Sequence, residues 1–110
     1  MANYIILSSF TDQGIRNVRE TTQRADAVRE LGKKFGVSFK EIYWTLGQYD
    51  VCAIVEAPDE QTITALALAL GSGGNVRTQV MRAFNQNEMK GILGKLAGTK
   101  SAQKKVTVAA

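Results

Sequence analysis

Apolar and polar positions change period along the chain, and the order of those periods predicts its elements. From Tyr4 to Phe10 both faces are apolar, Ile5 and Leu7 on one and Tyr4, Ile6 and Phe10 on the other, which predicts a central strand. Thr11-Asp12 supplies a helix N-cap signal. Helical spacing follows through Ile15, Val18, Thr22, Ala25, Val28, Leu31 or Gly32, and Phe35, with a bend expected at the β-branched pair Thr21-Thr22. Gly36 suits the end of that helix. Phe39–Leu46 and Tyr49–Glu56 read as two strands joined by a two-residue turn at Gly47-Gln48, with a positive φ expected at Gly47. Pro58-Asp59 interrupts, Gln61–Leu70 reads as a second helix, and Gly71-Ser72-Gly73-Gly74 ends it. Val76–Phe84 has strand character, and Asn87–Leu96 reads as a last short helix.

The resulting order, β-α-β-β-α-β followed by a helix, is that of a ferredoxin-like split βαβ fold of the α+β class, with an antiparallel sheet. Its first and third strands are then central and its second and fourth lie at the edges. Residues 1–97 are expected to form the domain and residues 98–110 a basic, flexible tail. Within that tail, Val106-Thr107-Val108 is a candidate to add as a strand to a neighbour's sheet edge.

The hairpin carries most of the functional information. A two-residue turn sets Thr45 opposite Asp50, Trp44 opposite Val51 and Tyr43 opposite Cys52, and opposed side chains share a face. One face then holds Ile42, Trp44, Leu46, Tyr49, Val51, Ala53 and Val55, and it belongs under the helices. The other holds Phe39, Glu41, Tyr43, Thr45, Asp50, Cys52, Ile54 and Glu56, with Ile5 or Ile6 from the first strand adding to it. Both helices of this fold cover one side, so the second face is expected to meet another copy of the chain in a homodimer or higher oligomer.

The segment Tyr43-Trp44-Thr45-Leu46-Gly47-Gln48-Tyr49-Asp50 resembles the signature of the GYD domain family, named for its Gly-x-Tyr-Asp turn. Phe10-Thr11-Asp12-Gln13-Gly14-Ile15, Arg24 and Gly73-Gly74-Asn75-Val76-Arg77-Thr78 also resemble that family, and the likeness spans roughly residues 4–96. It implies a small bacterial-type protein built as a dimeric α+β barrel, and it implies no defined biochemical role.

Composition narrows the chemistry. The chain of 110 residues contains no His and one Cys, so it holds no internal disulfide and no Ser-His or Cys-His nucleophile pair. No Asp/Glu cluster has ligand-like spacing, so neither a metal nor a cofactor is implied. The net charge of +4 sits in Glu88, Lys90, Lys95, Lys100, Lys104 and Lys105, leaving residues 1–87 neutral. A basic tail on a neutral body argues against specific nucleic-acid binding. No apolar run is long enough to span a membrane, and the N-terminus lacks the charged start of a signal peptide; the expected compartment is the cytoplasm.

Asp50 is the candidate acid/base, or else a turn-fixing acceptor; Tyr43, Thr45, Tyr49, Arg24 and Arg77 are the further ligand-binding candidates. Arg77 and Arg82 differ by an odd number of residues and are expected to point to opposite faces. The glycine run after the second helix precedes a strand, the reverse of a phosphate-binding loop, and is expected to be a flexible connection. Three functions follow: a homo-oligomeric module binding a small polar or aromatic molecule near Gly47-Gln48-Tyr49-Asp50; a cofactor-independent enzyme using Asp50; and an assembly protein whose tail docks on a partner.

Overall fold

The computed structural model describes residues 1–98. Four strands, β1 (Ala2–Phe10), β2 (Ser38–Trp44), β3 (Val51–Ala57) and β4 (Val76–Ala83), form one antiparallel sheet in the order β2-β3-β1-β4. Helices α1 (Asp12–Arg16) and α2 (Thr21–Lys34) connect β1 to β2, α3 (Glu60–Ser72) connects β3 to β4, and α4 (Gln86–Gly98) follows. This is the expected ferredoxin-like α+β arrangement, with β1 and β3 central. The expected tail lies outside the described residues, apart from Gly98 as the last residue of α4.

The helix starts follow their local chemistry. Thr11 caps α1 by accepting the Gly14 N–H at 3.1 Å. Asp59 caps α3 through the Thr62 N–H at 2.8 Å, a bond that holds its carboxyl below the usual carboxylate range. Asn85 and Glu88 cap α4 reciprocally: the Asn85 N–H donates to Glu88 at 3.0 Å and the Glu88 N–H to Asn85 at 2.8 Å. The Asn85 amide and the neighbouring Arg82 guanidinium keep the Glu88 carboxyl low.

The break in the first helical segment comes earlier than the expected bend. A 3₁₀ turn at Val18–Glu20 separates α1 from α2, so Thr21 begins the long helix. Gly36, at φ +76°, ends it, and the Val37 N–H returns to the Gly32 carbonyl at 2.8 Å.

The core lies between the sheet and α3. Tyr4 and Ile6 of β1, Ala53, Val55 and Ala57 of β3, and Ile63 and Leu66 of α3 are buried together with Val37. Full burial of Ile63 and Leu66 contributes about 1.5–3 kcal/mol each. The Tyr4 phenol is pushed up by burial, with the nearby Glu60 charge adding to the shift.

The register keeps Trp44 opposite Val51 and Tyr43 opposite Cys52, as expected. Phe39 is a correction. The pairing shifts between Phe39 and Glu41, a bulge at Lys40, so Phe39 faces Val55 and packs on the core rather than on the open face. The ring lies against α2, where a Cβ on Gly32 would sit 2.8 Å from it.

Candidate functional site

The residues buried under the helices alternate along β1 with Ile5 and Leu7, which are half-buried on the opposite face. Ile5, not Ile6, is therefore the β1 residue of the open face. Its register partners are Ile54 and Met81, while Leu7 opposes Cys52, and Cys52 opposes Tyr43. These six side chains form a contiguous apolar patch, in which Tyr43 is 52 % exposed and Ile54 and Met81 are each 36 % exposed. Glu41 and the Lys40–Glu56 ion pair, 3.1 Å long, lie along its β2 side.

The β2–β3 connection is wider than a two-residue turn. The Thr45 N–H donates to the Asp50 carbonyl at 2.8 Å, and Leu46–Tyr49 loop beyond that bond with Gly47 at φ +122°. Leu46 is completely exposed and takes no part in the core. Tyr49 is a second correction: its hydroxyl donates to Gln79 Oε1 at 2.6 Å. Gln79 opposes Leu7, so the Tyr49 ring reaches the open-face side of the sheet and not the helix-covered one. Trp44 does lie under the helices, its Nε1–H donating to Thr21 Oγ1 at 3.0 Å.

Asp50 is tied to β1 on two counts. The Asp50 N–H donates to the Ser8 carbonyl at 2.8 Å, and the carboxylate accepts the Phe10 N–H at 2.8 Å. The Thr45 hydroxyl donates instead to the Tyr49 carbonyl at 2.6 Å. Beyond Phe10, the Thr11 N–H donates to the Asn75 carbonyl at 3.1 Å and the Thr11 hydroxyl to the Gly74 carbonyl at 2.5 Å. Gln13 Nε2 reaches the Gly73 carbonyl at 3.3 Å and Asn75 Oδ1 at 3.2 Å. The glycine run is thus fastened to α1 rather than loose, and a Cβ on Gly14 would lie 1.9 Å from the Asn75 carbonyl oxygen.

Arg24 completes this end of the molecule. Its guanidinium donates to the Asn17 carbonyl at 2.7 Å and to the Gly14 carbonyl at 3.5 Å, with the Glu20 carboxylate 3.9 Å away. Arg77 is exposed at the start of β4 opposite Ser9, its guanidinium beside Gly71 near the end of α3, while Arg82 opposes Tyr4 and lies over its ring. By that pairing the two arginines hold strand positions of opposite face. The structure thus brings Thr45, Tyr49 and Asp50 together at the hairpin, sets Tyr43 on the open face, and places Arg24 on the helix side.

Between the sheet and α2 lies a cavity of about 290 Å³ that apolar periodicity does not reveal. Ile6, Phe39, Ile42, Trp44, Val28 and Leu31 give it apolar walls, and Ser8, Thr21, Arg24 and Asn75 supply polar groups. One signal for it was present: the residues that α2 turns toward the sheet include Ala25 and Val28, where α3 presents Ile63, Leu66 and Leu70. Among the described residues, no three His, Cys, Asp or Glu side chains gather into a set able to hold a metal ion. No helix among them is long and apolar enough to cross a membrane.

A bacterial relative from Thermus thermophilus, named glutamine synthetase and cystathionine beta-lyase binding protein, is 37 % identical over 85 residues, covering 76 % of this chain and 90 % of its own. No solved structure matches the chain. The model of the GYD domain matches residues 4–93, which take in the Gly47–Asp50 hairpin, the Phe10–Ile15 cap and the Gly73–Thr78 segment fastened to it. With most of its length matched in this way, the chain belongs to the GYD domain family.

Proposed function

We propose that this chain is a non-catalytic binding module that docks on an enzyme of the glutamine synthetase or cystathionine beta-lyase kind through the open face of its sheet. The observation that carries the reading is the patch of Ile5, Leu7, Tyr43, Cys52, Ile54 and Met81, which neither α2 nor α3 covers. An apolar centre with an aromatic anchor and a charged rim is the anatomy of a protein-docking surface. The name of the Thermus relative supplies the class of partner. Asp50 has a structural role in this reading, because its carboxylate is already engaged by the Phe10 N–H.

The test is a binding measurement with the purified chain and immobilised glutamine synthetase or cystathionine beta-lyase from the same organism. Saturable binding is expected, weakened at least about tenfold by Ile54→Asp, since a charge placed centrally in a desolvated contact costs more than about 1.4 kcal/mol. Equal binding by that variant, or none by the parent chain, rejects the proposal.

A second reading, self-association around a small polar or aromatic ligand near the hairpin, draws on a separate observation. Tyr43 and the Tyr49–Gln79 pair place polar groups on that same side of the sheet, suited to lie between two facing sheets. Native mass spectrometry distinguishes it: a dimer with a reproducible added mass supports this reading, and a bare monomer removes it.

A further inference from the structure

The cavity lies on the opposite side of the sheet from the docking face, and its existence follows from residue size. Ala25, Ala27, Ala53, Ala69 and Gly73 all border it, so helices and sheet are held apart by neighbours while little side-chain volume projects inward. The space of about 290 Å³ is roughly twice that of an apolar cavity of about 150 Å³ that admits benzene.

Its chemistry is polarised along the sheet. Phe39, Ile42, Val28 and Leu31 line the end toward the C-terminus of α2 and are wholly apolar. Ser8, Thr21, Arg24 and Asn75 lie toward the hairpin end, where β1 ends, α2 begins and β4 begins. Ser8 is the one buried polar residue among the described residues, 8 % exposed, and it borders the cavity. Arg24 uses two guanidinium nitrogens on the Asn17 and Gly14 carbonyls, which leaves donors to spare among its five. Its charge is weakly compensated, because Glu20 is 3.9 Å away with its side chain 68 % exposed.

We infer that this cavity binds a small apolar carboxylate, its body against Phe39, Ile42, Val28 and Leu31 and its carboxylate toward Arg24 and Ser8. An apolar body is required by the walls, and an anionic head suits a cation at the polar end whose acid neighbour, Glu20, is exposed.

Trp44 is the sole tryptophan of the chain and borders the cavity, so its emission reports occupancy directly. The full chain is titrated with octanoate and, separately, with octan-1-ol, both below aggregation. Octanoate is expected to shift Trp44 emission saturably and to bind about tenfold more tightly than octan-1-ol, the size of one charge-assisted hydrogen bond. Arg24→Gln is expected to erase that preference, and Ala25→Leu, which fills the cavity from a helical position, to abolish both responses. Equal affinity for acid and alcohol, no saturable response, or undiminished binding by Ala25→Leu overturns the inference. The octanoate and octan-1-ol comparison on the parent chain decides the matter even if a variant fails to fold. Ile54→Asp, on the other side of the sheet, is expected to leave octanoate binding unchanged, so failure here and failure of enzyme docking are separately visible.

Discussion

Replacing Asp50 with alanine deletes the oxygen that accepts the Phe10 N–H at 2.8 Å and leaves that amide without its carboxylate partner. The main-chain bonds from the Asp50 N–H to Ser8 and from the Thr45 N–H to Asp50 survive the change, so the loss is confined to one charge-assisted bond. Hydrogen bonds to charged groups contribute about 1.5–3 kcal/mol, and this one is only partly buried, which places the expected cost of Asp50→Ala near 2 kcal/mol. For a domain of this size each kcal/mol moves Tm by about 4–8 °C, so a fall of roughly 10 °C is expected. Asp50→Asn keeps a neutral acceptor and is expected to lose about half as much. Thermal unfolding followed by circular dichroism, with urea titration as a check on cooperativity, measures both. An Asp50→Ala protein melting within about 2 °C of the parent, while losing a ligand or a turnover, would refute the structural role and restore Asp50 as a chemical group.

Other expectations follow from the same contacts. Gly14→Ala forces a Cβ to within 1.9 Å of the Asn75 carbonyl oxygen and is expected to cost about 1–3 kcal/mol in urea unfolding; an unchanged midpoint would mean that α1 does not press on that segment. Met81→Lys, on the open face at 36 % exposure, is expected to leave Tm within a few degrees of the parent while weakening enzyme docking, checked by melting and binding on one sample. Glu88 and Asp59 have lowered carboxyl values, so their contributions are complete above the ordinary carboxylate range and are lost as pH falls through their lower folded values. An acid titration of stability is therefore expected to decline below about pH 4.5, and Glu88→Gln to flatten part of that decline.

Much of the fold was legible because its signals are local. Thr11 as a cap, Gly36 and Gly47 with positive φ, and the pairing of Trp44 with Val51 all follow from short-range chemistry. The single-residue bulge at Lys40 was not, and it moved Phe39 to the other face because strand alternation has a period of two. Tyr49 was misplaced for a related reason. The connection is held by Thr45 and Asp50 rather than closing at Gly47-Gln48, which frees Tyr49 from strand alternation and lets it reach Gln79. The cavity depends on small residues from α2, α3 and β3 meeting in space, which no single periodic segment reveals. The resemblance segments carried more than they first showed. Phe10–Gly14, Gly73–Asn75 and Asp50 are distant in sequence yet hydrogen-bonded into one end of the domain, so they read as a structural signature of that end.

Cys52 offers the most direct test of the docking proposal, because it is the chain's sole cysteine and opposes Leu7 and Tyr43 on the open face. Its alkylation by iodoacetamide, followed by mass spectrometry of this chain alone, is compared with and without saturating glutamine synthetase or cystathionine beta-lyase. The account predicts that the bound enzyme slows modification of Cys52 at least about tenfold, as burial of the open face requires. An unchanged rate in a complex shown to be saturated would place the docking surface elsewhere on the molecule.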